Sequence, residues 1–346
     1  MSIQTESASE MYDALYAKLH KLIPAFELKA KAEIAAQINK VKRERGALIL
    51  GHNYMEAALF NSVPDVVGDS LELSRKAAKT QNEVIVFCGV RFMAETAKIL
   101  NPSKTVLLPA KIAGCSLASS ITADDIRALR KAYPGVPIVT YINTYADVKA
   151  EVDICCTSAN AAKVVESLKS DTIIFVPDEY LAKNVAKETG KKVIFPFARN
   201  TTEPEPGTMV AWKGRCEVHE RFTVEDIRNI RKQFPGVAVL SHPECSPEVV
   251  AESDMAASTS KMQTFVKQSK APHFLILTEC SMADNIIAEN QDKDILRLCS
   301  IRCPHMNEIT LEDTLAALKL NQYVIEVPKD IADRARKSLE RMLEIS

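Results

Sequence analysis

Short, uninterrupted apolar runs alternate along this chain with longer amphipathic stretches, and the alternation occurs three times. The runs fall at 47–51, 84–88 and 104–108, then at 137–141, 172–176 and 192–196, and finally at 237–241, 273–278 and 294–299. Strands that are β-branched and apolar on both faces, spaced by helices with one apolar stripe, predict parallel sheets covered on both sides. Each unit therefore reads strand, helix, strand, helix, strand. Ahead of the units, Met11, Leu15, Leu19 and Leu22, then Ile34, Ile38 and Val41, predict helix over 8–45 with a break at Pro24. Behind them, 308–346 is helix-rich and is placed against the first unit.

The units are copies of one another. Aligned on a glycine, they read GALILGHNY (46–54), GVPIVTYIN (135–143) and GVAVLSHPE (236–244). Two of them also match upstream, as ITADDIRALRKAYPG (121–135) and FTVEDIRNIRKQFPG (222–236). A period of about a hundred residues is too long for a solenoid, so each copy is a small domain with its own core. The expected fold class is α/β, with three pseudo-symmetric three-layer α/β/α lobes built on small parallel sheets around a central active site. Lobe 1 is taken as 1–115 with the 308–346 tail, lobe 2 as 116–216 and lobe 3 as 217–307. Residues 197–212, FARNTTEPEPGTMVAW, break the repeat and read as a loop.

Polar groups cluster where each first strand ends. Six residues past the glycine stand His52, Tyr141 and His242, and eight past it Tyr54, Asn143 and Glu244. The helices that follow, 68–79, 157–169 and 258–268, open with Ser70, Ser158 and Thr259, which read as capping hydroxyls. In a parallel α/β unit the strand end and the next helix N-terminus share the carboxyl edge of the sheet, where ligands bind and anions are favoured. Three such edges converging suit a small substrate with several carboxylates or a phosphate. The structural alternative is that His52 and His242 only bond backbone and the hydroxyls only cap; equivalence across the repeats argues for a shared site. Asp124, Asp125, Glu225 and Asp226 are first-turn residues that complement helix dipoles.

Composition narrows the classes. The 346 residues are 47% hydrophobic with net charge −1, one Trp and no basic block, which argues against a nucleic-acid partner. No segment resembles a signal core or approaches the roughly 20 apolar residues of a membrane span, so a cytoplasmic protein is expected. Nine cysteines in such a chain point to metal or redox chemistry, or to small core residues, before disulfides. One closes each copy: Cys115 in AGCSLASSI, Cys216 in KGRCEVHERF and Cys303 in SIRCPHMNEIT, 101 and 87 residues apart. Three thiolates around one centre suit zinc or an iron–sulfur cluster. Cys216-x-x-His219 is also half a zinc site, and Cys299-x3-Cys303 is a weaker signal. Cys88, Cys155, Cys156, Cys245 and Cys280 read as small core residues.

At these residues the chain resembles quinolinate synthase. GHNY (51–54), GDSLELSR (68–75), AGCSLA (113–118), YINT (141–144), TSAN (157–160), GRCEVH (214–219), HPEC (242–245), STS (258–260) and CPHMN (303–307) occur in order over about 250 residues. The resemblance implies three pseudo-symmetric lobes and a [4Fe-4S] cluster held by Cys115, Cys216 and Cys303, with the fourth iron open to substrate as a Lewis acid. It implies condensation of iminoaspartate with dihydroxyacetone phosphate to quinolinate, a step of NAD biosynthesis that loses phosphate and two waters. Iminoaspartate would come from an L-aspartate oxidase or dehydrogenase. Ser70, Asn143, Ser158, His242 and Thr259 would hold substrate carboxylates, with His52 and Tyr141 lining the pocket. Tyr54 and Glu244 would be acid/base groups, Glu244 also touching substrate, with His219 nearby. Some relatives carry C-x-x-C-x-x-C before the last ligand; here only Cys299 precedes Cys303, which removes the ground for carrying over a regulatory disulfide.

Two other readings stay open. One is a zinc-dependent lyase or hydrolase using Cys216, His219 and His242. The other is a non-catalytic dicarboxylate-binding protein using the helix N-termini alone, against which stands Glu244, a carboxylate at an edge meant to hold carboxylates.

Overall fold

Each repeat opens on a glycine in the left-handed region. Gly46, Gly135 and Gly236 have φ of +55°, +77° and +80°, a conformation that carries the chain from helix to strand and that a Cβ disfavours. The computed structural model describes residues 3–196, 205–298 and 301–345. Two helices come first, α1 (Ala8–Leu19) and α2 (Ala25–Glu44), separated at Pro24, which is the N-cap residue of α2.

Lobe 1 then runs β1 (Ala47–His52), α3 (Ala57–Ser62), β2 (Val66–Gly68), α4 (Ser70–Lys79), β3 (Val84–Cys88), α5 (Arg91–Leu100) and β4 (Thr105–Leu107). Lobe 2 runs α6 (Ala123–Ala132), β5 (Ile138–Tyr141), α7 (Ala146–Lys149), β6 (Ile154–Cys156), α8 (Ala161–Ser167), β7 (Ile173–Val176), α9 (Glu179–Glu188), β8 (Lys192–Ile194) and β9 (Thr208–Ala211). Lobe 3 runs α10 (Val224–Gln233), β10 (Ala238–Ser241), α11 (Pro247–Glu252), β11 (Met255–Ala256), α12 (Thr259–Gln268), β12 (His273–Leu277), α13 (Cys280–Glu289) and β13 (Asp294–Arg297). The tail adds α14 (Leu311–Leu320) and α15 (Lys329–Glu344). The sheets, in order β2-β1-β3-β4, β6-β5-β7-β9-β8 and β11-β10-β12-β13, are parallel throughout. The protein is thus an α/β fold with three small parallel sheets covered by helices.

Two features depart from the sequence reading. Each lobe has a short edge strand, β2, β6 or β11, between its first two predicted elements. One aspartate per lobe fixes it: Oδ2 of Asp65, Asp153 and Asp254 accepts the N–H of Ile49, Ile138 and Val239 at 2.8 Å each. Lys42, Arg130 and Arg231 reach the same carboxylates at 2.9, 3.2 and 3.2 Å. The second departure is β9, inside the stretch read as a loop. Its four residues are all buried between β7 and β8, and the Pro, Thr and Glu before Gly207 hide the apolar run in the sequence; 197–204 lie outside the described residues.

The central strands are buried on both faces, each Val, Leu or Ile there contributing about 1.5–3 kcal/mol over exposure. The tail bridges two lobes: α14 lies on α2 and β3, whereas α15 lies on α7, β6 and α5. Among the described residues, no helix is long and apolar enough to cross a membrane.

Candidate active site and thiol triad

The carboxyl ends of β1, β5 and β10 face one cavity. Its walls include His52, Tyr54, Ser70, Tyr141, Asn143, Ser158, His219, His242, Glu244 and Thr259, together with Cys115, Cys216 and Cys303. Every site residue read from the sequence therefore meets at one place.

Glu244 is the centre of its polar wall. Tyr141 of lobe 2 donates its phenol to Oε1, while Oε2 lies 2.8 Å from Nδ1 of His219. Burial alone would raise this carboxyl, but His219, His242 and the hydrogen bonds from His219 and Tyr141 hold it well below the usual carboxylate range. Nε2 of His219 is 2.8 Å from Thr278 Oγ1, which is 2.6 Å from the phenol oxygen of Tyr54 in lobe 1. Burial, then the Glu244 charge, push both phenols well above their ordinary value, so each keeps its proton.

The two strand-end histidines share one geometry. Nδ1 of His52 accepts the N–H of Tyr54 at 3.2 Å, and Nδ1 of His242 that of Glu244 at 3.4 Å. Burial outweighs the pull of Glu244 and pushes His52 down to about 4 and His242 to about 3. Both rings are neutral at pH 7, with the proton on Nε2. That of His242 faces Ser158 Oγ at 3.2 Å, a pair of groups able to donate to a carboxylate.

A pH effect on stability follows. The unfolded chain protonates these imidazoles near pH ~6.5 and the folded chain does not, so stability is full above that value and falls as pH drops towards 4. The depressed carboxyl of Glu244 keeps its contribution through this window, because that is lost only as pH falls through its folded value. Urea unfolding at pH 7 and pH 5 should show a loss of roughly 1–2 kcal/mol per histidine, with the slope reduced in His52→Gln. An unchanged slope in that variant would refute the assignment.

The three helix N-termini meet here, but their hydroxyls do not cap, contrary to the sequence reading. Asp69, Asn160 and Ser258 are the N-cap residues of α4, α8 and α12. Asp69 takes the role from Ser70 because its carboxylate accepts two amides, closing a capping box with Glu72. Asn160 Oδ1 turns back onto the N–H of Thr157 at 2.8 Å, holding Ser158 in the turn before α8. Ser70 and Thr259 begin their helices. Asn53 ties α12 to lobe 1, donating to Thr259 Oγ1 at 2.9 Å and Ser260 Oγ at 3.2 Å. Oδ1 of Asn143 is buried without a hydrogen-bond partner, an acceptor that a ligand's donor would satisfy.

Three cysteines differ from the rest. Cys115, Cys216 and Cys303 are partly exposed on the cavity, whereas Cys88, Cys155, Cys156, Cys245 and Cys280 are buried. All eight are free; Cys299 lies outside the described residues. After each of the three comes the same turn, a 3-10 turn at Ala118–Ser120, His219–Arg221 or Met306–Glu308, then a threonine N-cap at Thr122, Thr223 or Thr310. In each turn the amides two and three residues on bond to the cysteine sulfur. Burial nevertheless raises the thiols, Cys115 to about 12, Cys303 to about 11, and Cys216 well above its ordinary value. Residues beside the thiols are stitched together: Glu217 Oε1 accepts from Ser116 Oγ at 2.8 Å and lies 3.1 Å from His305 Nε2. Cys216, His219 and Glu244 also bring ligand atoms within 4.8 Å of one another, close enough for a single ion.

Sequence reading missed Asn53, Thr278, Glu279 and Asp178. Glu279 is fully buried and lines the cavity, and burial pushes it up to about 7; it accepts the N–H of Ser281 at 2.7 Å and of Cys303 at 3.3 Å. Asp178 is fully buried, raised by burial and then by Glu244. Both stand at the N-cap of the helix that follows a lobe's third strand, where lobe 1 has Val90. Extending the repeat alignment to these strands is the signal that exposes them.

A fold of three α/β units that pool acid, base and thiol groups in one cavity defines a small-molecule enzyme built by triplication. The profile of the family described as quinolinate synthetase A protein matches residues 36–344. Quinolinate synthase 2 of Mesorhizobium japonicum is 51% identical over 345 residues, covering 100% of both chains. The quinolinate synthase of Sinorhizobium medicae is 49% identical over 99% of this chain and 90% of its own, and that of Agrobacterium fabrum 50% over 98% and 92%. The chain belongs to the quinolinate synthase family.

Proposed function

We propose that this protein condenses iminoaspartate with dihydroxyacetone phosphate to quinolinate, releasing phosphate and two waters, in NAD biosynthesis. The observation that carries this reading is the placing of Tyr54 and Glu244, from different lobes, at one cavity with three thiols. The thiol set fits a [4Fe-4S] cluster. Three soft donors with the same turn and two amides aimed at each sulfur favour anionic sulfur, and without a metal these buried groups stay protonated. When bound through Cys115, Cys216 and Cys303, the cluster supplies a Lewis-acid position at an open iron.

The chain's own residues supply binding and proton transfer. Ser70, Asn143, Ser158, His242 and Thr259 present neutral donors to substrate carboxylates beside the N-termini of α4, α8 and α12. His52 and Tyr141 line the pocket, and Tyr141 orients Glu244. Glu244, ionised and bonded on both oxygens, accepts the proton from carbon in the isomerisation and dehydrations. Tyr54 gives a proton to a departing oxygen, and His219 holds Glu244 in place. Two anionic substrates need donors rather than further carboxylates, and Glu244 is explained as a base.

The free thiols agree with a reducing cytoplasm. An imine of aspartate hydrolyses readily, so an aspartate-oxidising enzyme must supply it nearby. Protein isolated without oxygen and supplied with both substrates should release quinolinate and phosphate in equal amounts; absence of quinolinate from fully loaded protein would refute the reading.

The closeness of Cys216, His219 and Glu244 favours a second reading, a single ion such as zinc. It leaves the matching turns at Cys115 and Cys303 without a use.

A further inference from the structure

We propose that Glu217 is a positioning residue for the thiol centre, one carboxylate oxygen clasping together the turns that follow Cys115, Cys216 and Cys303 at the solvent edge of the cavity. This rests on the reading of the three thiols as a metal centre. Ser116 and Glu217 directly follow Cys115 and Cys216, and His305 stands two residues past Cys303. All three line the cavity. Oε1 of Glu217 accepts from Ser116 Oγ at 2.8 Å and lies 3.1 Å from Nε2 of His305. A carboxylate only accepts, so Nε2 carries the hydrogen and both bonds end on the same oxygen. Ser116 is exposed, and the side chains of Glu217 and His305 are 43% and 30% exposed, which places the clasp where the cavity meets solvent.

The clasp reinforces a close approach of the three turns. The chain entering Cys216 presses on the turn after Cys115: a Cβ on Gly214 would overlap Ser120 Oγ and the Pro177 carbonyl, and Trp212 Nε1 donates to the Ser120 carbonyl at 3.0 Å. His305 ties the third turn to this pair. Its ring bonds Glu217 and stands against Gly114, where a Cβ would come 3.9 Å from Nδ1. Its backbone amide is one of the two that bond to the Cys303 sulfur. Holding the ring therefore holds the amide that the sulfur accepts from.

The charge of Glu217 is not what serves the site. A negative group there works against an anionic sulfur at Cys303, so the use of this side chain lies in the oxygen its neighbours share. Groups that orient metal ligands from outside the ligand set matter to retention nearly as much as the ligands do. Without the shared oxygen, the Cys303 turn loses its tie and the edge of the cavity opens to water and small solutes.

Glu217→Gln keeps a carbonyl oxygen able to accept both bonds, and Glu217→Ala keeps none. In holoprotein purified without oxygen and mixed with excess EDTA, loss of visible absorption should be about tenfold faster in alanine than in wild type, and within about threefold of wild type in glutamine. Ser116→Ala added to Glu217→Ala should change nothing further, because its bond ends on the oxygen already removed. Equal rates in alanine and wild type, equal acceleration in alanine and glutamine, or an added effect of the Ser116 change would each overturn the clasp. Wild type that holds no iron would count against the metal centre, and alkylation would then decide the clasp. In metal-free protein, iodoacetamide should label Cys115 and Cys303 several-fold faster in Glu217→Ala than in wild type, with buried Cys156 unchanged, as read by peptide mass spectrometry. Equal labelling of Cys115 and Cys303 in the two proteins would overturn it.

Discussion

Glu244→Gln lowers kcat by about 10³-fold, within the range of a lost general base, and leaves the thiol-bound metal in place. Glutamine matches the shape of glutamate but accepts on one atom only. Glu244 receives a phenol from Tyr141 on one oxygen and faces His219 Nδ1 on the other at 2.8 Å. The amide therefore turns its NH2 onto one of these donors. A buried donor left facing a donor costs about 1–3 kcal/mol, so a small fall in Tm accompanies the loss of rate. Turnover within a few-fold of wild type would remove Glu244 from the chemistry.

Serine at Cys115, Cys216 or Cys303 each abolishes metal retention and activity, by at least about 10³-fold if the open iron contributes several kcal/mol. A serine hydroxyl ionises too weakly to replace a thiolate, and loss of one ligand opens the site to water. The three outcomes should be alike, because the three turns are alike down to the two amides at each sulfur. A single ion on Cys216, His219 and Glu244 predicts otherwise, with only Cys216→Ser losing metal. Cys156→Ser is the control. Its sulfur is buried in β6, so serine there costs about 1–3 kcal/mol of stability and leaves metal content unchanged. Iron content of the four variants, measured with Tm, separates these outcomes.

Triplication is why so much of this was legible in the sequence. A single His52 after a strand carries little information, but His52, Tyr141 and His242 at one repeat position require a common place in space, and the cavity brings them together. The apolar runs gave the strands because both faces of a parallel sheet are covered. What escaped was set by polar geometry. The edge strands β2, β6 and β11 have two or three residues, and each is held by a single aspartate, too little apolar pattern to register. β9 was hidden by the Pro- and Thr-rich stretch before it. The N-cap assignments failed because Asp69, Asn160 and Ser258, one or two residues from the expected hydroxyls, are the N-cap residues. Thr278 and Glu279 lie at a strand end not compared across the repeats, where tertiary contacts with Tyr54, His219 and Cys303 give them meaning.

The most direct test of the thiol centre is the iron and acid-labile sulfide content of protein purified without oxygen, read with its visible spectrum. The account predicts about four irons and four sulfides per chain with a broad brown band near 400 nm. Colourless protein holding zinc or no metal, unchanged after anaerobic reconstitution with iron and sulfide, would contradict it.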